Sequence, residues 1–345
     1  MRLSLCIATF NRAGYIGRTL DAILEQMTPE LELVIVDGAS QDGTAELMAR
    51  YLARHPQIVY RRETENSGID RDFDKTVAYA SGEYCWLMSD DDVIVPGAVA
   101  AVLTRLAAAP QLVIVNSEIR DRKLSAVLKP RQIEMDQDRE YDASRHERFF
   151  ADTCSYLSFI GGVVVRRAWW LGRERAAYYG SLFIHAGVIF QQPAPQCVKV
   201  IAQPLVQIRY GNAQWTPRGF EIWMFKWPQL VWSFAHFSAA ARRSVSPRYP
   251  SDSLRTLLWY RAIGSYGRAE RVLLSSGDNA KHVNNLAGLV AHLPVRSINA
   301  LLALYCFFSP HRDAPMKLYD LARAQETSRL TRWLARRSRF RGTEK

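Results

Sequence analysis

The chain has 345 residues, 48% of them apolar and 23% charged, which is enough for a large core in one or two domains and ordinary for a globular protein. Its net charge of +11 is uneven: residues 1–110 carry 10 Lys/Arg against 16 Asp/Glu, leaving +17 on the remainder. The basic remainder calls for a polyanionic partner such as nucleic acid, anionic lipid or a phosphorylated substrate, whereas the acidic start argues against a chain coated uniformly for nucleic acid.

In chain order, residues 3–8 (LSLCIA) read as a buried strand with a polar exit at Thr9-Phe10-Asn11-Arg12. Tyr15, Ile16, Leu20, Ile23 and Leu24 then recur at helical spacing. A second strand spans 32–36 and leaves through Asp37-Gly38-Ala39-Ser40-Gln41-Asp42-Gly43; residues 44–52 are helical. A short strand at 58–60, a turn at Asn66-Ser67-Gly68 and a helix over 69–79 follow. Residues 84–88 (YCWLM) form a continuous apolar run, as in a strand buried on both faces. The run ends in Ser89-Asp90-Asp91-Asp92, and Pro96 opens an Ala-rich helix. Residues 112–115 make a fifth strand. Strands alternating with helices imply right-handed crossovers and a mainly parallel sheet.

In such sheets ligands collect beyond the carboxyl ends of the strands. Three exits here carry polar groups: Thr9, Asn11 and Arg12; Asp37, Ser40 and Asp42; Ser89 to Asp92. Three consecutive carboxylates at the end of a buried strand repel one another, and a hard divalent cation or cationic side chains would relieve that. Asp37 alone could be a helix cap. There is no G-x-G-x-x-G after the first strand and no G-x-x-x-x-G-K-[ST], so a dinucleotide fold or a P-loop is disfavoured.

Residues 117–145 are charged and weakly periodic and read as an extended insertion or mobile loop. Residues 161–167 look like a strand leaving a turn, 181–190 an apolar helix or strand with one histidine, and 198–201 and 205–210 two strands. Residues 220–237 are rich in Trp and Phe, with a kink expected at Pro228. Residues 311–345 hold ten Lys/Arg against four Asp/Glu, interspersed with Leu318, Leu321, Leu330, Trp333, Leu334 and Phe340. That pattern fits either a basic amphipathic segment on an anionic membrane or a solvated basic helix. The five cysteines show no metal-ligand spacing and read as core thiols of a reducing compartment. The first ten residues are too short for a signal peptide. The apolar stretch 297–310, 14 residues, falls short of the roughly 20 that span a bilayer.

Taken together, residues 3–12, 32–44 and 82–92 resemble the GT-A glycosyltransferases of family 2. Asn66-Ser67-Gly68-Ile69-Asp70-Arg71-Asp72-Phe73, with Ser89-Asp90-Asp91-Asp92 after it, is similar to the abequosyltransferase-type branch that builds O-antigen and related surface glycans. The resemblance implies that Thr9, Asn11 and Arg12 line a nucleotide pocket, that Asp37 accepts a hydrogen bond from base or ribose, and that Arg71 and Asp72 lie along the nucleotide. It places the Asp-x-Asp motif, which holds Mg²⁺ or Mn²⁺ on the donor diphosphate, within Asp90-Asp91-Asp92. Counted back from Pro96, the motif's usual first Asp falls on Ser89, which makes Asp91 the most secure ligand and puts Asp90 on the ribose side. Gly38 stands where a second Asp often follows the first. The family's acidic pair, one member of which is the catalytic base, is replaced by Ile184-His185. His185 could serve as that base, with Asp152 as a weaker alternative. Arg209, Tyr210 and Asn212 could contact acceptor or diphosphate.

The expectation is therefore an α/β protein: a GT-A domain over 1–212, Rossmann-like with a mainly parallel sheet, and a helical C-terminal extension over 213–345 with a basic amphipathic tail. It would be a metal-dependent glycosyltransferase using a nucleotide-diphosphate sugar donor. Its glycan acceptor would be carried on a polyprenyl diphosphate, and the protein would lie in the cytoplasm, peripheral on the anionic inner face of the cell membrane, without a nucleic-acid partner. The competing expectation is a degenerate GT-A domain acting as a membrane-associated scaffold.

Overall fold

A computed structural model describes residues 2–212, 218–275 and 277–341. Two compact units emerge: residues 1–119, 130–209 and 234–241 form the first, and 120–129, 210–233 and 242–345 the second.

The first unit is built on a mixed sheet. The acidic N-terminal third supplies β1 (Leu3–Thr9), α1 (Ile16–Leu24), β2 (Leu31–Asp37), α2 (Thr44–Arg54), β3 (Val59–Arg62), α3 (Ile69–Tyr79) and β4 (Tyr84–Met88). Then come β5 (Val93–Ile94), α4 (Ala98–Leu106), β6 (Leu112–Arg120), β8 (Arg139–Tyr141), α5 (His146–Thr153), β9 (Val163–Arg166), α6 (Arg167–Leu171), α7 (Ile184–Phe190) and β10 (Val198–Arg209), while β7 (Val127–Lys129) falls in the second unit. The strand order is β3-β2-β1-β4-β9-β6-β10-β5. β1 is parallel to β2 and β4, and β2 to β3. β9 runs antiparallel to both β4 and β6, so β6 keeps the direction of the parallel strands.

β1, β2 and β4 are buried along their whole length, which is why their sequences are continuous apolar runs rather than alternating ones. Ile16, Leu20 and Ile23 of α1 join Leu5, Ile7, Leu33 and Ile35 in one core. Trp86 is fully buried and its indole N–H donates to Gly161 O at 2.9 Å; burial of a side chain this size contributes roughly 2–3 kcal/mol. Near the amino ends of these strands the buried polar groups are mutually satisfied. Ser4 Oγ donates to Glu32 Oε2 at 2.5 Å, and the N–H groups of Ser81 and Gly82 donate to Glu32 and Ser4 at 2.9 Å.

Several sequence expectations change. Residues 117–145 are not a free loop: β6 continues to Arg120, β8 pairs with β10, and the Asn116 amide donates to Ile133 O and Ala202 O while Asn116 Oδ1 accepts from Ile133 N. A weakly periodic segment can thus be fixed by one buried amide. The two expected strands at 198–210 are a single strand, β10. Residues 181–190 resolve into α7. Phe234 and Phe237, placed by sequence in the helical extension, belong to the first unit, where Phe237 stacks on Phe150 at 4.0 Å and both pack edge-on to Phe190.

The second unit is helical: α8 (Gly219–Glu221), a π-helical turn (Ile222–Lys226), α9 (Trp227–Ser233), the later part of α10 (Ala239–Val245), α11 (Leu254–Ala262), α12 (Arg268–Leu274), α13 (Ala287–Val290), α14 (Val295–Phe308), α15 (Ala314–Arg323) and α16 (Arg329–Arg341). The π turn immediately before Pro228 takes up the strain expected there as a kink. Asn299 is the polar hub. Its amide donates to Ala262 O and Leu321 O at 3.1 and 2.9 Å, and its Oδ1 accepts from Thr331 Oγ1 and Ser328 N. Around it pack Ala262, Ala303, Cys306, Leu318, Leu321 and Leu334.

Candidate active site

Parallel register brings the first site residues together. Thr9 lies beside Asp37 across β1 and β2, and Ile7 beside Met88 across β1 and β4, so the segment 89–92 leaves the sheet at the same edge. The first two exits are fastened to one another. The N–H groups of Asn11, Arg12 and Ala13 donate to Ser40 Oγ, Thr44 Oγ1 and Asp42 Oδ2 at 2.8, 3.1 and 3.0 Å, and Gln41 N donates back to Asn11 Oδ1 at 2.7 Å. Asn11 and Ala39 hold φ of 55° and 64°. A left-handed conformation costs a non-glycine residue about 1–2 kcal/mol, which these bonds offset.

Asp37 is wholly buried; Oδ1 accepts from Ser40 N at 2.8 Å and Oδ2 from the Tyr60 hydroxyl at 2.6 Å. Gly38 is explained by its neighbour: a Cβ there would come within 2.6 Å of Asp72 Oδ2. The carboxylate of Asp72 thus occupies the space into which a side chain at 38 would project. Asp72 is buried, accepts from Ser67 Oγ at 2.7 Å and stands 3.7 Å from Lys75 Nζ; burial raises its carboxyl above the usual range. Arg71 is exposed, with its guanidinium over the Tyr179 ring at 5.0 Å.

Asp90, Asp91 and Asp92 are all buried, but they do not converge as a trio. Arg12 Nε donates to Asp90 Oδ1 at 3.1 Å and Arg12 Nη2 pairs with Asp91 Oδ2. Asp92 Oδ1 instead accepts from Arg209 N at 2.7 Å. Arg209 Nε donates to Asp91 O at 2.8 Å, and the guanidinium groups of Arg12 and Arg209 lie 4.7 and 5.5 Å from the Tyr15 ring. Desolvation, reinforced by Asp91, pushes the Asp90 carboxyl up to about 6 against the pull of Arg12. The same causes lift Asp92, opposed by Arg209 N and Ser89. Arg209 itself is lowered, by burial and by Arg18 nearby.

Among the described residues no three His, Cys, Asp or Glu side chains form a ready ligand set. The donor chemistry suits Mg²⁺ or Mn²⁺ nonetheless, because such ions are held by one or two carboxylates plus substrate phosphates rather than by an all-protein cage. Asp90 and Asp91 offer adjacent hard oxygen donors. The buried Thr9 hydroxyl stands at the same edge, beside Asp90. Asp92, expected as a third ligand, has Oδ1 committed to the Arg209 backbone.

His185 is 2% exposed and sits in the first turn of α7. Its Nε2 donates to Leu157 O at 2.8 Å, its Nδ1 is buried without a partner, and burial lowers the imidazole to about 4. In this arrangement the ring is enclosed, with one nitrogen committed to a backbone carbonyl. Asp152, the alternative base, is engaged by the Tyr141 hydroxyl and Arg148 Nε, both at 2.8 Å, and by Arg139 Nη1 at 3.4 Å. It lines an open cavity of about 440 Å³ with Arg139, Arg145 and Arg148. Tyr210 belongs to the second unit, where its hydroxyl donates to Asp320 Oδ2 at 2.8 Å; Asn212 lies in that unit too.

Sequence reasoning missed the acidic face of α3. Asp70 accepts the N–H groups of Gly180, Leu182 and Ile184 at 2.8, 2.9 and 3.1 Å. One turn on, Asp74 accepts from the Trp170 indole, Arg175 and the Tyr179 hydroxyl. Together these carboxylates set the path of residues 170–184. The only signal was the i, i+4 spacing of two acids, which reads equally as a solvated helix start.

Residues 4–168 match the family model described as "Glycosyl transferase family 2". The chain is 26% identical over 232 residues to abequosyltransferase RfbV of Salmonella typhimurium, spanning 64% of this chain and 70% of that protein. It is 29% identical over 92 residues to the putative teichuronic acid biosynthesis glycosyltransferase TuaG of Bacillus subtilis, covering 26% of this chain and only 36% of TuaG. Among solved structures it resembles S. aureus TarS in complex with UDP-GlcNAc, with a TM-score of 0.52 at 15% identity over 95% of this chain and 93% of that one. It also resembles the mannosyltransferase PcManGT of Pyrobaculum calidifontis in complex with GDP-Man and Mn²⁺, at TM-score 0.50, 18% identity, and 99% and 88% coverage. At these identities the structural likeness speaks for the fold alone, and that fold is the expected GT-A sheet with a helical C-terminal region.

Proposed function

We propose that the protein, whose residues 4–168 match the glycosyl transferase family 2 model and which is similar to abequosyltransferase, moves a sugar from a nucleoside-diphosphate donor to a surface-glycan acceptor, with Mg²⁺ or Mn²⁺ on the diphosphate. The observation that supports this reading is that Asp37 and the segment 89–92 leave three in-register parallel strands at one edge. Asp37, its carboxylate fixed by Ser40 and Tyr60, receives a hydrogen bond from the base or ribose. Thr9, Asn11 and Arg12 form the adjoining wall, and Arg71 and Asp72 lie along the nucleotide. Asp90 and Asp91 hold the divalent cation, which when bound supplies positive charge to the departing diphosphate. Arg12 balances the same carboxylates before the donor arrives, and Arg209 braces the Asp91 carbonyl. Asp92 acts by fixing the strand exit against β10. His185 packs α7 against residue 157 rather than taking the acceptor proton. The acceptor is carried on a polyprenyl diphosphate at the inner face of the cell membrane.

The test is thermal stabilisation by a panel of nucleotide sugars with Mn²⁺. One donor at a hundred times its Kd stabilises the chain by about 2.7 kcal/mol, and Asp37→Ala loses most of that. A panel in which no nucleotide sugar moves the midpoint overturns the reading.

A further inference from the structure

The sequence pointed to 318–341 as a membrane-binding segment, but Leu318, Leu321 and Leu334 are core residues of the second unit. The exposed apolar surface lies elsewhere. Among the described residues, the large hydrophobic side chains that face solvent fall in the second unit, Ile69 and Tyr79 excepted. α14 carries three of them, Phe308 being the most exposed of all: Leu301, Tyr305 and Phe308 are 62%, 61% and 73% exposed. Their i, i+4, i+7 spacing puts them on one face, opposite the buried Val295, Asn299, Ala303 and Cys306. No acidic residue interrupts the helix; Arg296 stands at its start, and His311 and Arg312 follow its end.

The charge of this unit is predominantly positive, although Asp313 follows Arg312 and pairs with Lys129. The second unit holds 25 Lys/Arg against 9 Asp/Glu. α16, which packs beside α14, has six arginines and no acid, with exposed Leu330 and Trp333 among them. Arg337 rests over the Trp333 ring at 4.3 Å. A two-fold contact between copies through this face would set two strongly cationic units against each other, which disfavours self-association. No described helix is long and apolar enough to cross a bilayer. An apolar, aromatic-bearing helix face flanked by arginines is the pattern of a helix lying in the interface of an anionic bilayer.

We propose that the second unit docks on an anionic lipid surface by laying the Leu301–Tyr305–Phe308 face of α14 into the headgroup region, with the arginines of α16 supplying the electrostatic attraction. This locates the membrane contact that a lipid-linked acceptor calls for, yet it stands without the transferase reading, because the vesicles that test it contain neither donor nor acceptor.

The experiment is flotation of the full chain with vesicles of phosphatidylcholine alone or mixed with phosphatidylglycerol, with sedimentation equilibrium run in parallel. The wild type floats with the mixed vesicles and stays behind with the neutral ones. Leu301→Ser/Phe308→Ser lowers the bound fraction by about tenfold or more, and Arg332→Ser/Arg336→Ser does so with a weaker salt dependence. Both keep the wild-type melting midpoint and donor turnover. A wild type that ignores anionic vesicles overturns the proposal, as does a Leu301→Ser/Phe308→Ser chain that floats unchanged. A wild-type dimer that this variant converts to monomer overturns it too, by assigning the face to a second copy.

Discussion

His185 offers the sharpest test of how the first unit handles acceptor chemistry. Its imidazole is fully enclosed, with Nε2 given to Leu157 O and a folded-state value of about 4 set mainly by desolvation. The unfolded chain titrates near 6.5. Between those values the unfolded state binds a proton that the folded state refuses, so stability falls as pH drops from about 6.5 to about 4. That gap corresponds to about 3 kcal/mol, absent at pH 7.5 and largely developed by pH 4. His185→Gln keeps a donor for Leu157 O but has no proton to gain. Urea denaturation of both chains at pH 7.5 and pH 4.5 should therefore show wild type losing about 2–3 kcal/mol more than the variant on acidification. Donor turnover by His185→Gln at pH 7.5 should stay within about threefold of wild type, because an enclosed ring contributes packing rather than proton transfer. If the two chains lose stability equally, or if turnover falls by a hundredfold or so while the fold persists, the ring is reachable and the base belongs on His185 after all.

Three other outcomes follow from the same geometry. Asp70→Ala removes the acceptor of three backbone N–H groups and should cost about 3 kcal/mol, with hydrogen-exchange protection at 180–184 lost before that of β1. Gly38→Ala drives a methyl to 2.6 Å from Asp72 Oδ2, so donor affinity should drop while Gly38→Ala/Asp72→Ala recovers much of the stability in a double-mutant cycle. Asp37→Asn should weaken donor binding by about tenfold or more, read by calorimetry, since it exchanges a charged acceptor for a neutral one at a buried site.

Much of the first unit was legible because its signals are local. Continuous apolar runs announce β1, β2 and β4, and polar residues stand directly at their ends, so the sequence alone groups Thr9, Asp37 and Asp90–Asp92. The charge pairing within that group was not legible, because Arg12 meets Asp90 and Asp91 across 78 and 79 residues of chain. Asn116 made the same point for residues 117–145, where one amide reaching residues 133 and 202 turns a loop-like sequence into ordered structure. In the tail, helical periodicity identified an amphipathic pattern at Leu318, Leu321 and Leu334 but could not say whether that stripe faces a membrane or a neighbouring helix. The length of α14 says that it is too short to span a bilayer but not which of its faces is exposed.

The central claim is that Asp91 acts at the diphosphate of a bound sugar donor. The direct measurement is sugar release from the donor found in the nucleotide-sugar panel, by wild type and Asp91→Ala, with Mn²⁺ and after EDTA. Turnover that needs the ion and falls by roughly a hundred- to a thousandfold in Asp91→Ala, with the fold intact by circular dichroism, is the predicted result. Turnover that survives both the substitution and the chelator would contradict it.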